Sequence, residues 1–396
     1  MMYALLFSSF FLPILFEIYV PCKNNGNVLF HSQKELQKVL FYFLFLIFFF
    51  VCAFRYKTGY DWIPYELYYQ DFPKSLLKDN CEPFFIALYA ICKFFGLNFY
   101  GMQIFVSLFC CSVIFKCYKK FSPFPALSIF CYACFYYHIL QMGFVRQEIA
   151  IAFSLLAVMK FADKKKRSAF ILTLVGTLFH YSSFLLFVMF FIKVTELNKK
   201  KMFFILLLAY ILLGNWMVLR FLFLLIAKLP FIPSKIIRMI DIYFSLTNMT
   251  SNAGFYGVGW FSRRIVVWIA VFSAHTNSKT EILIYKLTWI GLILECFGLP
   301  VIVLGRLSYL FLCFEFIAIT LFLRDFFIIK TNSFFKTLII FLVLLFYSVQ
   351  GPVNFIFFRT DDEAKRYKPY YSLFNPPSSS LRIQHQLNRY YETHGR

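Results

Sequence analysis

Apolar runs follow one another along nearly the whole chain, and this pattern restricts what it can fold into. The runs lie at residues 2–20, 39–54, 98–115, 124–140, 145–159, 169–192, 202–219, 262–274, 283–303, 307–323 and 334–350. A helix of roughly 20 residues crosses the apolar part of a bilayer. Only 15% of the 396 residues are charged, whereas soluble domains carry about 25%. The sequence therefore predicts an all-α polytopic membrane protein with about ten full transmembrane helices.

The short connections between these runs divide by charge. Six of them together hold 20 Lys and Arg against five acids. They are residues 21–38, 116–120, 160–167, 193–201, 275–286 and 324–336. Basic loops of this kind stay in the cytoplasm, so the other connections are expected on the outer face. The same rule explains the formal charge of +21 without a nucleic-acid partner.

We predict a single multi-span membrane domain over residues 1–375. Its outer loops, 55–82, 220–261 and 351–375, are expected to form the cleft of a site. Residues 376–396 begin with a Pro-Pro-Ser-Ser-Ser sequence and continue with mixed polar residues, so we expect a disordered polar tail.

Three shorter stretches do not fit simple spans. The run 169–192 has basic loops on both sides, so it is either one span that breaks the charge rule or a hairpin of two short helices. We prefer the hairpin, because polar His180 and its neighbours need water or protein partners in mid-bilayer. The helix after Pro83 is too short to span and is expected to dip into the outer leaflet. From Ser234, an amphipathic helix is expected to lie on the outer interface.

The sequence supports neither a metal site nor a cofactor. Most of the eleven cysteines fall in apolar runs, which argues against a disulfide framework. Cys131 and Cys134 form a CxxC pair with no second pair and no nearby His cluster, so we expect two buried thiols. A Walker A loop, a Gly-rich dinucleotide turn and an HExxH helix are all absent from the sequence.

Four cationic side chains recur at or beside the predicted outer helix ends. They are Arg55, Arg146, His180 and Arg306. A guanidinium remains ionised and fits phosphate oxygens, so an anionic ligand is one explanation of the outer arginines. The alternatives are a headgroup contact for Arg306, local pairing with an acid for Arg146, and a helix-end anchor for Arg55.

Acids and one histidine add candidates for proton transfer. Histidine titrates near neutral pH, so His180 is either a proton carrier or a hydrogen-bonding residue of a packed turn. Asp61 is either a general base, a sugar-hydroxyl ligand, or the partner of Arg55 or Lys57 in an ion pair. Glu295 and Glu315 lie in apolar runs. There acids are functional or pair with a neighbouring helix, and we expect pairing.

At these residues the sequence resembles the EpsG family of Wzy-type polysaccharide polymerases. The matching pieces run in family order and are Arg55-Tyr56, Thr58-Gly59-Tyr60-Asp61 with Tyr65, Glu82-Pro83-Phe84, Arg146-Gln147 with Ala150, His180-Tyr181-Ser182, Gly305-Arg306 with Tyr309, and Pro369-Tyr370-Tyr371-Ser372-Leu373-Phe374. Each piece is short, and together they are specific. Tyr60 stands where a polar residue is commoner in the family. Residues 220–260 contain no matching motif, which leaves the sugars undetermined.

The resemblance implies a membrane glycosyltransferase of the bacterial inner (plasma) membrane, with its active site facing the periplasm. Such polymerases join undecaprenyl-pyrophosphate-linked oligosaccharides into the O-antigen of lipopolysaccharide, or into capsular or exopolysaccharide. The growing glycan moves to the nonreducing end of the next lipid-linked unit. The implied partners are these lipid-linked oligosaccharides and membrane lipids, and a chain-length regulator is left open.

The resemblance and the outer arginines together predict the site residues. Arg146, Arg306, Asp61 and His180 are predicted to be catalytic. The arginines would hold pyrophosphates, and Asp61 or His180 would take the proton of the acceptor hydroxyl. The predicted substrate-binding residues are Arg55, Tyr65, Glu82, Gln147, Tyr181 and Tyr309.

Two other functions would use the same donor. A flippase for lipid-linked oligosaccharides would also need cationic residues, but along a cavity open to both faces, and its halves often repeat. Here the cationic residues cluster at one predicted face and the halves do not resemble each other. An O-antigen-ligase-like glycosyltransferase is separated from a polymerase only by the family resemblance.

Overall fold

The computed structural model describes residues 2–19, 28–73, 82–228, 258–276, 278–329, 333–358 and 364–394. Within these ranges every regular element is a helix, and extended pairing is limited to isolated bridges of Ser372 with Arg55 and Asn375. The predicted all-α class is therefore confirmed, and the apolar helices are those of a helical membrane protein.

The helices belong to two compact units, Met1–Leu186 with Lys330–Arg396, and Phe187–Ile329. The α-helices are α1 (Met2–Ser8), α2 (Phe11–Tyr19), α3 (Val28–Ala53), α4 (Trp62–Gln70), α5 (Pro83–Phe94), α6 (Phe99–Phe121), α7 (Pro125–Tyr136), α8 (Val145–Ala162), α9 (Lys166–Phe179), α10 (Lys199–Leu213), α11 (Trp216–Ala227), α12 (Val258–Ser273), α13 (Lys279–Cys296), α14 (Tyr309–Leu312), α15 (Glu315–Ile329), α16 (Ser333–Ser348) and α17 (Leu381–His394). Short 3-10 or π-helices cover Tyr137–Gln141, Tyr181–Phe191, Ile302–Ser308, Val349–Phe358 and Ala364–Arg366.

Three helices of the described residues are long and apolar enough to cross a bilayer. They are Glu35–Ala53, Phe99–Phe121 and Thr337–Phe357. The pair α10 and α11 bends by 83° between its halves and gives a fourth span if the pair is counted as one. The predicted number of about ten spans and the single multi-span domain stay predictions.

Several apolar runs are interrupted for local chemical reasons. The first run breaks at Ser9–Phe10 into α1 and α2, because Pro13 has no N–H to donate to the carbonyl of Ser9. The short helix expected after Pro83 is α5, which ends before Gly96, whose φ of +70° suits glycine. The run 169–192 breaks at His180, between α9 and the 3-10 helix that follows.

The loop after α11 and the C-terminal tail were both given a predicted structure. The amphipathic helix from Ser234 lies outside the described residues. The expected disordered tail is wrong for residues 381–394, which form α17. Arg382 near the start of this helix is buried and donates to Lys57 O and Arg366 O. These contacts stabilise a segment whose composition alone predicts disorder.

A buried ion cluster joins three helices of the second unit. Arg264 of α12 donates Nη2 to Glu295 of α13 at 2.5 Å, and Nη1 to Glu315 of α15. Arg264 and Glu315 are each 1% exposed. The pairing expected for both acids is thereby confirmed, with a partner that sequence reasoning did not identify.

Candidate active site

Glu82 joins two of the predicted site residues. Its Oε2 lies 2.7 Å from Nη1 of Arg146, and its Oε1 lies 2.9 Å from Nδ1 of His180. It stands in extended backbone just before α5, where Pro83 starts the helix without needing a partner for its nitrogen. The Glu82 side chain is 5% exposed, whereas those of Arg146 and His180 are 31% and 29% exposed. One buried carboxylate thus holds two partly exposed side chains.

Arg146 and His180 meet because α8 and α9 pack along each other after a connection of three residues. The connection is 163–165, so the end of α9 returns to the start of α8. Gly176 permits close packing, since a Cβ there would lie 3.2 Å from Ala150 O. His180 follows α9 in extended backbone, and its N–H donates to Gly176 O at 3.0 Å.

Two aromatic rings lie against the guanidinium of Arg146. Its centre is 5.9 Å from the ring centroids of both Tyr65 and Phe85. Its Nε also donates to the Tyr65 hydroxyl at 3.4 Å. Cation–π contacts and the Glu82 ion pair restrict the orientation of a side chain that would otherwise sample many rotamers.

The charges of this cluster follow from its contacts. Burial favours the neutral carboxyl of Glu82, yet the hydrogen bond from His180 and the charge of Arg146 outweigh burial and lower its pKa from 4.5 to about 2. An ionised carboxylate only accepts hydrogen bonds, so Nδ1 of His180 carries the hydrogen. The three side chains together carry a charge of zero or +1, according to the protonation of His180.

Tyr65 connects the cluster to Asp61. Burial and the charge of Asp61 together raise the pKa of Tyr65 to about 12, although Arg146 opposes the shift. The phenol is therefore neutral and keeps its hydrogen. Asp61 precedes α4, accepts from Tyr65 N at 3.3 Å, and donates its own N–H to Gly143 O at 3.4 Å. Asp61 thus lies beside the segment that leads into α8.

Gly59 explains how the turn before Asp61 approaches that segment. Its φ is +124°, and a Cβ at this position would lie 1.9 Å from Met142 O and 3.7 Å from Gly143 Cα. A left-handed conformation and this close approach both require glycine. The Thr-Gly-x-Asp sequence is therefore needed for packing as well as for the carboxylate.

Three further predicted residues of the first unit differ in exposure and in contacts. Arg55 is 3% exposed, and its Nη1 donates to Cys52 O at 2.6 Å and lies 3.3 Å from Cys52 Sγ. This inward contact agrees with the helix-end anchor considered for Arg55. Gln147 is buried, whereas Tyr181 is 58% exposed.

Arg306 and Tyr309 belong to the second unit. Arg306 lies in the 3-10 helix Ile302–Ser308, and Tyr309 begins α14; both are partly exposed. The turn before them is tight, since a Cβ on Gly298 would lie 2.5 Å from Gly305 Cα. Their predicted roles toward a substrate stay predictions.

Sequence reasoning missed the bridging role of Glu82 and the partners of the Lys57–Asp61 turn. Glu82 was expected to bind substrate, and its separation from Arg146 and His180 along the chain gives no sign of their contact. Of the described residues, no three His, Cys, Asp or Glu side chains are grouped to hold a metal ion.

The fold and the site define a class: a helical membrane protein with an arginine–carboxylate–histidine cluster at the ends of its helices. The family model named EpsG family matches residues 38–372. The chain therefore belongs to the EpsG family, a family of Wzy-like polysaccharide polymerases. No curated protein and no solved structure matches the chain.

Proposed function

We propose that this protein polymerises undecaprenyl-pyrophosphate-linked oligosaccharides by glycosyl transfer at the periplasmic face of the bacterial inner membrane. Family membership supports a polysaccharide polymerase-type membrane protein. The observation that carries the finer proposal is the Arg146–Glu82–His180 cluster, which combines an anion-binding group with a candidate base. The predicted topology of about ten spans would put this cluster on the outer side.

The reaction joins two lipid-linked units. A hydroxyl at the nonreducing end of the acceptor attacks the anomeric carbon of the donor, and the bond from that carbon to the pyrophosphate oxygen breaks. Undecaprenyl pyrophosphate leaves with the bonding electrons, and the hydroxyl proton passes to a base. The transition state gains negative charge on the leaving pyrophosphate, so a positioned cation there accelerates the reaction.

Arg146 is the proposed ligand of the leaving pyrophosphate. Its guanidinium is partly exposed and is oriented by Glu82 and Tyr65, so little rotamer freedom is left to lose on binding. Arg306 of the second unit stays a predicted pyrophosphate ligand, and Tyr309 a predicted substrate-binding residue.

His180 is the base that the contacts favour, and Asp61 is the alternative. Glu82 accepts from Nδ1 of His180, which leaves Nε2 as the basic atom of the neutral ring. A carboxylate in this position also stabilises the imidazolium that forms after proton transfer. Asp61 lies near Tyr65 and would take the proton directly.

The experiment is the surface glycan profile of a strain that lacks this gene. The gene is supplied back as wild type, Arg146→Ala, Arg146→Lys or Arg167→Ala, with protein levels in membranes compared. The Arg167→Ala control removes an exposed arginine of α9 that lies in a predicted cytoplasmic loop. We expect a ladder from wild type and the control, a single repeat unit on the lipid anchor with Arg146→Ala, and a weak ladder with Arg146→Lys.

Other outcomes separate the alternatives. A normal ladder from Arg146→Ala would refute the role of Arg146. In the strain without the gene, stranding of lipid-linked units inside the cell would indicate a flippase. Long free chains that fail to reach a lipid acceptor would indicate a ligase.

A further inference from the structure

Helix α17 lies beyond the residues matched by the family model, which end at 372. It nevertheless packs on the turn formed by residues 57–62, which contains Asp61. We call α17, residues 381–394, the C-terminal strap. Its contacts with the turn come from two side chains on one helical face, at positions 382 and 386.

Arg382 makes the first contact and is 9% exposed. Its Nη2 donates to Lys57 O at 2.9 Å, and its Nη1 donates to Arg366 O at 3.0 Å. Both nitrogens also lie 3.3 Å from Thr58 Oγ1. The guanidinium stacks on Tyr371, at 4.6 Å from the ring centroid. A long cationic side chain is thus placed where it binds neutral acceptors of the turn.

Gln386 makes the second contact, at the other end of the turn. The indole Nε1 of Trp62 donates to Gln386 Oε1 at 2.8 Å, and Gln386 Nε2 donates to Lys365 O at 3.2 Å. Trp62 is the first residue of α4, the helix that carries Tyr65. The strap therefore holds the turn at Lys57 and again at Trp62.

The turn needs such support because its backbone is strained. Lys57 has a φ of +45° and Gly59 a φ of +124°, and the left-handed region is unfavourable for lysine. Further bonds run from Gly59 N to Arg366 O at 3.1 Å and from Asp61 N to Gly143 O at 3.4 Å. A shift of the turn would therefore move Asp61 relative to Gly143 and the start of α8.

We propose that the C-terminal strap positions the active site, with Arg382 as its main positioning residue. The strap fixes the turn 57–62 and thereby sets Asp61 and Tyr65 against Arg146. This inference rests on the proposed function for its effect on catalysis, but not for its effect on the conformation of the turn.

Two measurements test the strap on Arg382→Ala, Arg382→Lys and the control Arg389→Ala, which removes an exposed arginine two turns along the same helix. The first is hydrogen exchange of the Gly59 and Asp61 amides in the purified full-length protein without substrate. The second is polymerisation of lipid-linked units isolated from the polymerase-deficient strain. With Arg382→Ala we expect exchange about tenfold faster and kcat about tenfold lower, with KM little changed. We expect partial rescue by Arg382→Lys and no change with Arg389→Ala.

Wild-type exchange and wild-type kcat in Arg382→Ala would overturn the strap. If Arg382→Ala does not fold, Gln386→Ala decides the question, because it removes the hydrogen bonds that Gln386 makes with Trp62 and Lys365. Faster exchange near Trp62 supports the strap, and unchanged exchange refutes it. Faster exchange in Arg382→Ala together with a wild type that polymerises nothing would refute the proposed function and leave the strap standing.

Discussion

Replacing Glu82 by Gln isolates the role of the carboxylate, because the amide keeps the shape and loses the charge. Glu82 contacts both Arg146 Nη1 and His180 Nδ1. Glutamine still accepts one hydrogen bond but cannot balance the arginine or stabilise a charged histidine. We therefore expect Arg146 to lose its fixed orientation and His180 to become a weaker base.

The size of the expected decrease in kcat follows from the depressed pKa of Glu82. Lowering it from 4.5 to about 2 corresponds to about 3 kcal/mol in favour of the charged form. Arg146 and His180 are each partly exposed, and solvent screening reduces the usable interaction to about 1–2 kcal/mol. If this interaction orients the reacting groups, its loss lowers kcat by about 5- to 30-fold.

The contribution of Glu82 to the stability of the folded protein should also depend on pH. The pKa of Glu82 is depressed in the folded protein, so its contribution is present above about pH 4.5 and is lost as the pH falls toward about 2. Wild type should therefore melt at a higher temperature than Glu82→Gln at neutral pH. The difference should narrow as the pH falls from about 4.5 toward about 2.

The assay compares Glu82→Gln with Glu66→Gln, which removes a carboxylate of α4 that accepts from Tyr100 at 3.1 Å. Initial rates are measured with isolated lipid-linked units at equal protein, and melting is followed in detergent over the pH range. A Glu82→Gln protein with wild-type kcat and wild-type melting at neutral pH would refute the proposed role of the cluster.

Three further substitutions and one control, Gly96→Ala, test the packing of the helices and turns. Gly59→Ala should abolish polymerisation, because its Cβ would lie 1.9 Å from Met142 O, while Gly96→Ala, with nothing within 4 Å, should cost only about 1 kcal/mol; the glycan ladder and membrane protein level distinguish them. Arg264→Leu should lower the membrane protein level sharply, since two carboxylates lose a buried partner at about 3–5 kcal/mol. Glu17→Ala leaves the N–H groups of Ala126 and Leu127 without their acceptor and should reduce melting stability by about 1–2 kcal/mol.

The apolar runs predict the helical class and many helix positions, but not the local interruptions. The break at Ser9 follows from Pro13, which sequence reasoning could have used. The prediction of a disordered tail was wrong for a different reason. Composition predicts disorder for residues 376–396 because few apolar side chains are available there, and it carries no information on the backbone acceptors that Arg382 finds at Lys57 and Arg366.

The site was predicted as a set of residues and not as an arrangement. Asp61, Tyr65, Arg146 and His180 were identified individually, yet their meeting depends on the packing of α8 on α9 and on the turn at Gly59. Arg55 shows most clearly that the sequence does not determine which way a side chain faces. An outer arginine predicts an anion ligand equally well whether it faces the surface or, as here, turns inward to Cys52.

Arg146 is proposed to support glycosyl transfer between lipid-linked units. The most direct measurement uses the purified protein in lipid with units isolated from the polymerase-deficient strain. It follows chain length on a gel together with released undecaprenyl pyrophosphate. We predict one carrier released for every glycosidic bond formed by wild type, and a rate about a hundredfold lower for Arg146→Ala. Chain growth at the wild-type rate in Arg146→Ala, or no chain growth by wild type, would contradict the claim.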